Sequence, residues 1–235
     1  LVLAGIAFSV AIALLGGQPE VMLMRESLLT GVLGAILLLD LGLTWRQINR
    51  DHRAEQEANV GAIHAVLMAT RRVYQKAFLA NELPFNDKTV RLLPAHAMSR
   101  IADDYKNWTN NGYVFNNVSD RPRNPANRAD QFELAAMAYF RANPQTEQRM
   151  EPIQDDAGKR WFLYTAPIWI ERYCLQCHGV KEDAPESIRQ NYSESYGYQE
   201  GELRGVISIK LPLERYEAAL YDQFSVRVLR DLAGF

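Results

Sequence analysis

The chain has 235 residues, with 26 Lys and Arg against 28 Asp and Glu for a net charge of −2, and 48% hydrophobic and 23% charged residues. That balance belongs to a folded globular protein and excludes a disordered chain, a collagen-like chain and a disulfide-rich miniprotein. It also argues against a nucleic-acid module, which carries a basic excess.

The mean hydropathy of −0.25 hides an asymmetry. Apolar residues crowd the N-terminal end, where Leu1 to Gly17 is free of charge and Leu28 to Trp45 is interrupted only by Asp40. A membrane helix needs about 20 apolar residues, and both runs sit near the lower bound of about 17. Each is read as a membrane helix; the alternatives are a signal-peptide core for the first and a buried core helix for the second. Trp45 followed by Arg46 resembles an interfacial end. Gln18 to Ser27 is then expected to be a hairpin loop between two spans. Asp40 is costly in lipid and is expected near the headgroups or against another helix. Arg46, Arg50 and Arg53 would place the following residues on the cytoplasmic side. A motif further along requires the opposite side, and the motif decides.

Gln47 to Ala80 contains no Pro and only Gly61, and Val60, Ile63, Leu67, Val73 and Phe78 recur at roughly helical spacing, which predicts a long helix. Pro84 and Pro94 bracket a loop that leads into a short helix, Ala95 to Tyr105. Asn107 to Asp130 is rich in Asn, Pro and Gly and reads as loop with short extended pieces. Gln131 to Ala142 is a further amphipathic helix, begun by Asp130 as N-cap and stopped by Asn143-Pro144. Trp161 to Ile170 is aromatic and branched and follows the turn Asp155-Asp156-Ala157-Gly158, so it reads as a strand. Gly205 to Leu211 alternates and predicts another strand, and Leu213 to Arg230 returns to a helical pattern.

The chain has two cysteines, and both fall in Cys174-Leu175-Gln176-Cys177-His178. C-x-x-C-H is the signature of covalent c-type haem attachment. Two thiols three positions apart reach the two vinyl groups on one porphyrin edge, and the adjacent His binds the iron from the proximal side. A zinc site and a redox dithiol are the competing readings. Zinc would want a fourth ligand and there is no second Cys pair; a dithiol would accompany a thioredoxin-like pattern that is absent. Haem c is attached on the outer face of energy-transducing membranes, so Cys174 is expected to face the periplasm.

Arg121-Pro122-Arg123-Asn124-Pro125-Ala126-Asn127-Arg128-Ala129-Asp130 resembles the Pro-Arg-Asn-Pro-x-Asn-x-Ala-Asp stretch of a bacterial single-haem sensor family. Leu93-Pro94-Ala95-His96-Ala97, the aromatic strand before Cys174, and Gly201 to Leu211 match the same family in order. The resemblance covers roughly residues 50 to 215. It implies an α+β, PAS-like antiparallel sheet with one haem c, held outside the membrane by flanking helices. Such domains commonly precede histidine kinase, diguanylate cyclase or chemoreceptor outputs. The expected organisation is a membrane-anchoring region over 1–45, a juxtamembrane helix over 46–82, the haem domain over 83–212 and an exit helix over 213–235.

His178 is the expected proximal ligand. For the sixth position His96 is the first candidate, because it follows Pro94 in a segment resembling the family's pocket wall. Met98, His64, Met68 and an open site are the alternatives; His52 lies too near the membrane. Arg123 and Arg128 are the candidates for the haem propionates, which want charged donors. Asn124 and Asn127 are expected to fix the turns of their own loop. Trp161, Tyr164 and Trp169 are either core or a wall of the haem pocket.

Together these features predict a membrane-anchored, extracytoplasmic haem c sensor domain in a bacterial inner membrane, its haem domain in the periplasm. It would respond to redox state or to a small ligand at the haem. An electron-transfer cytochrome subunit of a membrane assembly is the alternative. No set of general acids and bases stands out, so no enzyme activity is expected. The expected partners are membrane lipid, a second copy of the chain through the long helices, and a redox partner; nucleic acid is not expected.

Overall fold

The computed structural model describes residues 19–233 except 81, 85 and 87. The first apolar run, Leu1 to Gly17, lies outside the described residues. Two compact units result, one spanning Glu55–Glu217 and one combining Leu1–Ala54 with Ala218–Phe235.

Helix α1 runs without a break from Pro19 to Leu79, 61 residues, or about 90 Å at 1.5 Å per residue. The expected loop over Gln18 to Ser27 is therefore replaced by helix from Pro19 onward. Proline at the first helical position loses only an N–H that has no partner there anyway. From Glu20 to Ser27 no Gly or Pro follows to break the helix. Arg25–Leu79 contains an 18-residue stretch of mean hydropathy 1.9, none of it buried, long and apolar enough to cross a membrane. In this same unit Trp45 packs its ring on Tyr221 and Phe224, at 5.3 and 5.2 Å between centroids. Both partners lie on helix α6, Leu213–Ala233.

In the unit of residues 55–217 the chain order is helix α2 (Pro94–Tyr105), strand β1 (Val114–Val118), helix α3 (Gln131–Ala142) and strands β2 (Arg149–Gln154) and β3 (Arg160–Trp169). The helical turn α4 (Leu175–His178), helix α5 (Glu186–Asn191) and strand β4 (Leu203–Pro212) complete it. The four strands form one antiparallel sheet in the order β1-β4-β3-β2, so the fold is α+β. The two central strands, β3 and β4, are buried along nearly their whole length. Hence Trp161 to Ile170 reads as a continuous apolar run rather than an alternating one.

Each face of the sheet has its own core. Phe115, Phe162, Tyr164, Ile168, Ile207, Ile209 and Leu211 pack with Val60 and Leu67 of α1 and Met98 of α2. On the other face Val118, Leu203 and Val206 pack with Ala136, Met137 and Phe140 of α3. The loop before α3 is tied to the middle of the sheet by a buried polar cluster. Asp130 caps α3 by accepting from the backbone N–H groups of Phe132 and Glu133, and Glu133 accepts in return from the Asp130 N–H. Glu133 is 5% exposed. It also accepts from Ser208 Oγ at 2.7 Å, while Lys210 of β4 pairs with Asp130 at 2.6 Å.

Trp161, Tyr164 and Trp169 do not form one wall. Successive strand residues point to opposite faces, so residues an odd number apart part company. Tyr164 joins the core under α1, Trp169 packs against the α3 core, and the Trp161 indole donates to Asp155 at 2.9 Å.

Candidate functional site

Past Trp169 the chain makes a tight turn, Arg172–Cys174, and then the single helical turn α4 over Leu175–His178. One turn of helix places residues three and four apart on the same side, which brings Cys174, Cys177 and His178 together. All three line one open cleft. Both thiols are free, and burial pushes both up from the ordinary thiol range, so they stand as S–H groups. Gly179 follows because the backbone closes on itself here: an added Cβ would lie 2.7 Å from the Leu175 carbonyl oxygen.

The His178 ring has one nitrogen committed. Nδ1 lies 2.8 Å from the carbonyl oxygen of Ser195. A carbonyl only accepts, so Nδ1 carries the proton and Nε2 keeps its lone pair. Burial first, then Arg123 and Arg204, hold this imidazole well below the ordinary His range; it is neutral, as a metal ligand must be. Ser195 itself has φ +66°, a left-handed conformation that costs a non-glycine residue about 1 kcal/mol or more. Gly197 and Tyr198 donate their N–H groups to the carbonyls of Gly179 and His178, fastening this segment to the motif.

The cleft wall carries three guanidinium groups, Arg71 from α1, Arg123 from the loop before α3 and Arg204 from β4. None of them forms a salt bridge among the described residues. Burial works against the charge of both Arg123 and Arg204. Arg123 donates to the carbonyls of Cys177, Ser195 and Glu194, which locks the motif to the segment behind it. Half-buried cations without carboxylate partners call for an anionic ligand. Asn117 also lines the cleft, and its Oδ1 is buried with no hydrogen-bond partner among the described residues. A bound group would satisfy such an atom. Arg128 is not on the cleft wall; it is exposed, and its guanidinium donates to the Asp120 carbonyl at 3.3 Å. The turn Pro125–Asn127 separates the two arginines, with the Asn124 side chain accepting from the Ala126 N–H. Asn127 is buried and accepts from Ser99 and Asn116.

Among the candidate sixth ligands only His96 lines the cleft. Burial, then Arg100 and Arg123, lower its pKa, and its Nε2 lies 2.5 Å from the Tyr192 hydroxyl. His64 is held elsewhere, with Nδ1 3.0 Å from the Tyr164 hydroxyl. Met98 is buried in the core and Met68 packs against it. His52 belongs to the other unit.

Among the described residues no three His, Cys, Asp or Glu side chains converge so as to hold a metal ion by themselves. A haem needs no such set, because its macrocycle supplies four ligands and the protein only the axial ones. Two thiols, a neutral imidazole with a free Nε2, an apolar wall including Phe78, Leu93 and Ile168, and unpaired cations fit that group. Of the residues singled out in the sequence, Cys174, Cys177, His178, His96 and Arg123 line this cleft. Arg71, Arg204, Tyr192 and Ser195 went unread. Arg204 stands one residue before the strand expected from Gly205 to Leu211.

The sequence model of the family described as Tll0287-like matches residues 49–212. The crystal structure of the cyanobacterial haem protein Tll0287 aligns with 66% of this chain and 95% of its own, at a TM-score of 0.50 and 22% identity. This likeness extends to the fold. None of the curated proteins matches the chain.

Proposed function

The chain belongs to the Tll0287-like family, and from that premise we propose that residues 55–217 are a haem c-binding sensor domain, anchored by α1 at the outer face of a bacterial inner membrane. What carries this reading is the convergence of the chain's two cysteines, His178, His96 and three unpaired arginines on one cleft. Bound there, the haem would supply a one-electron couple and an iron able to take a small ligand.

The residues divide the work. Cys174 and Cys177 would hold the group covalently, each thiol offering its S–H for addition across a vinyl group. His178 offers Nε2 while Ser195 fixes the ring through Nδ1. Arg71, Arg123 and Arg204 would neutralise the propionates, and His96 would be the second side chain offered to the iron. Signalling rather than catalysis is favoured because α1 itself builds the cleft, with Arg71, Gln75, Phe78 and Leu79 on its wall. A change of charge or ligand in the cleft therefore acts directly on a helix that continues to Pro19 without a break. Such a change shifts the balance between two helix positions only as far as the cleft binds one of them better.

Hydrogen exchange along α1 tests the sensor role. Protection of residues 64–79 should differ between the ferric and ferrous forms of the membrane-inserted protein. Identical exchange in both forms would contradict a sensor and favour an electron-transfer role.

A further inference from the structure

The Tyr192 hydroxyl lies 2.5 Å from Nε2 of His96, with the two rings 5.7 Å apart and inclined at 42°. Nε2 is the outer ring nitrogen, and it cannot engage a phenol and an iron at once. Tyr192 is held in place independently of His96. Its N–H donates to the Ile188 carbonyl at the end of α5, and its own carbonyl accepts from the Tyr196 hydroxyl at 3.1 Å. The Arg123 guanidinium sits 5.5 Å from the Tyr192 ring and 4.7 Å from the Tyr196 ring. The same Arg123 donates to the Cys177 carbonyl, so the phenol and the attachment motif share one anchor.

We infer that Tyr192 is the alternative partner of His96, competing with the haem iron for its Nε2 and so setting how often the sixth position is open to a small ligand. This rests on the reading that His96 serves that position. A ligand that needs an open site binds in proportion to the fraction of molecules in which it is open. One hydrogen bond to the released imidazole raises that fraction by about threefold to tenfold. The chemical class of ligand is a small neutral molecule that binds ferrous iron, for which carbon monoxide is the probe.

The test compares the full-length haem-loaded protein with Tyr192→Phe and His96→Ala, following carbon monoxide binding to the ferrous form and the spin state of the ferric form. Haem content and thermal unfolding are checked on each. Tyr192→Phe should slow carbon monoxide binding about threefold to tenfold and reduce any ferric high-spin fraction. His96→Ala should speed binding. If His96→Ala opens the site while Tyr192→Phe leaves binding unchanged or accelerates it, Tyr192 is a bystander or a support of the ligated state, and this inference falls alone. If His96→Ala changes neither measurement, the assignment of His96 fails and takes the role of Tyr192 with it.

Discussion

Replacing His96 by Ala is expected to turn a six-coordinate, low-spin ferric haem into a high-spin one. Carbon monoxide binding to the ferrous form should accelerate about tenfold or more, as an open state populated at no more than about a tenth becomes the only state. The expectation is selective because of where the other candidates lie. His64 is bonded to Tyr164, which also donates to Gln148 at 2.8 Å, outside the cleft. Met98 is 2% exposed in the core under α1. His64→Ala and Met98→Ala should therefore leave the haem spectrum as it is. Met98→Ala should still lose stability, by about 2–5 kcal/mol, as core truncations do. The reduction potential should shift in His96→Ala alone, because axial ligand identity is a main lever on it. An unchanged spectrum in His96→Ala, with a changed one in His64→Ala or Met98→Ala, would move the sixth ligand to that residue.

Gly205→Ala is expected to be the most damaging small substitution in the sheet. The new Cβ would lie 2.2 Å from the Val118 carbonyl oxygen and 3.2 Å from its carbon. Neither atom can withdraw easily, because β1 and β4 are paired there, Val118 with Val206, and Gly205 faces Ile168 of β3 on the other side. Overpacking against backbone should cost about 3 kcal/mol or more, read as a lower denaturant midpoint. Gly205 and Val118 both line the cleft, so haem loading should fall in parallel. Gly158→Ala is the comparison. Gly158 has φ +79° in the β2–β3 turn but no neighbour nearer than 3.8 Å, so only the left-handed backbone is penalised, by about 1 kcal/mol. Equal losses in the two variants would contradict the close approach of β1 and β4.

Much of the fold was legible because its signals are local. Asp130 and Asn143 mark the ends of α3 at Gln131–Ala142, and the aromatic run before Cys174 is β3 almost residue for residue. The edge strands were not legible. β2 reads Arg-Met-Glu-Pro-Ile-Gln, and Pro152 speaks against a strand unless the strand lies at an edge, which only the sheet order reveals. β1 is embedded in an Asn-rich stretch, and its Asn116 and Asn117 hide its pattern. The contrast is sharper at the site. Cys174, Cys177 and His178 are consecutive on one helical turn, so their spacing carries their geometry. Arg71, Tyr192 and Arg204 meet them only through the fold, from α1, the residue after α5, and β4. Arg123 and Arg128 looked equivalent in sequence; the turn between them turns one toward the cleft and leaves the other in solvent.

Cys174 and Cys177 are proposed to carry a covalent haem. The most direct measurement is acid–acetone extraction of protein made in a host with c-type maturation machinery, followed by a haemochrome spectrum of the residue. The haem should stay with the denatured chain and give a c-type spectrum. It should become extractable when Cys174 and Cys177 are both replaced by Ala. Haem that leaves the unaltered chain in acid–acetone, or a chain that carries zinc in its place, would contradict the account.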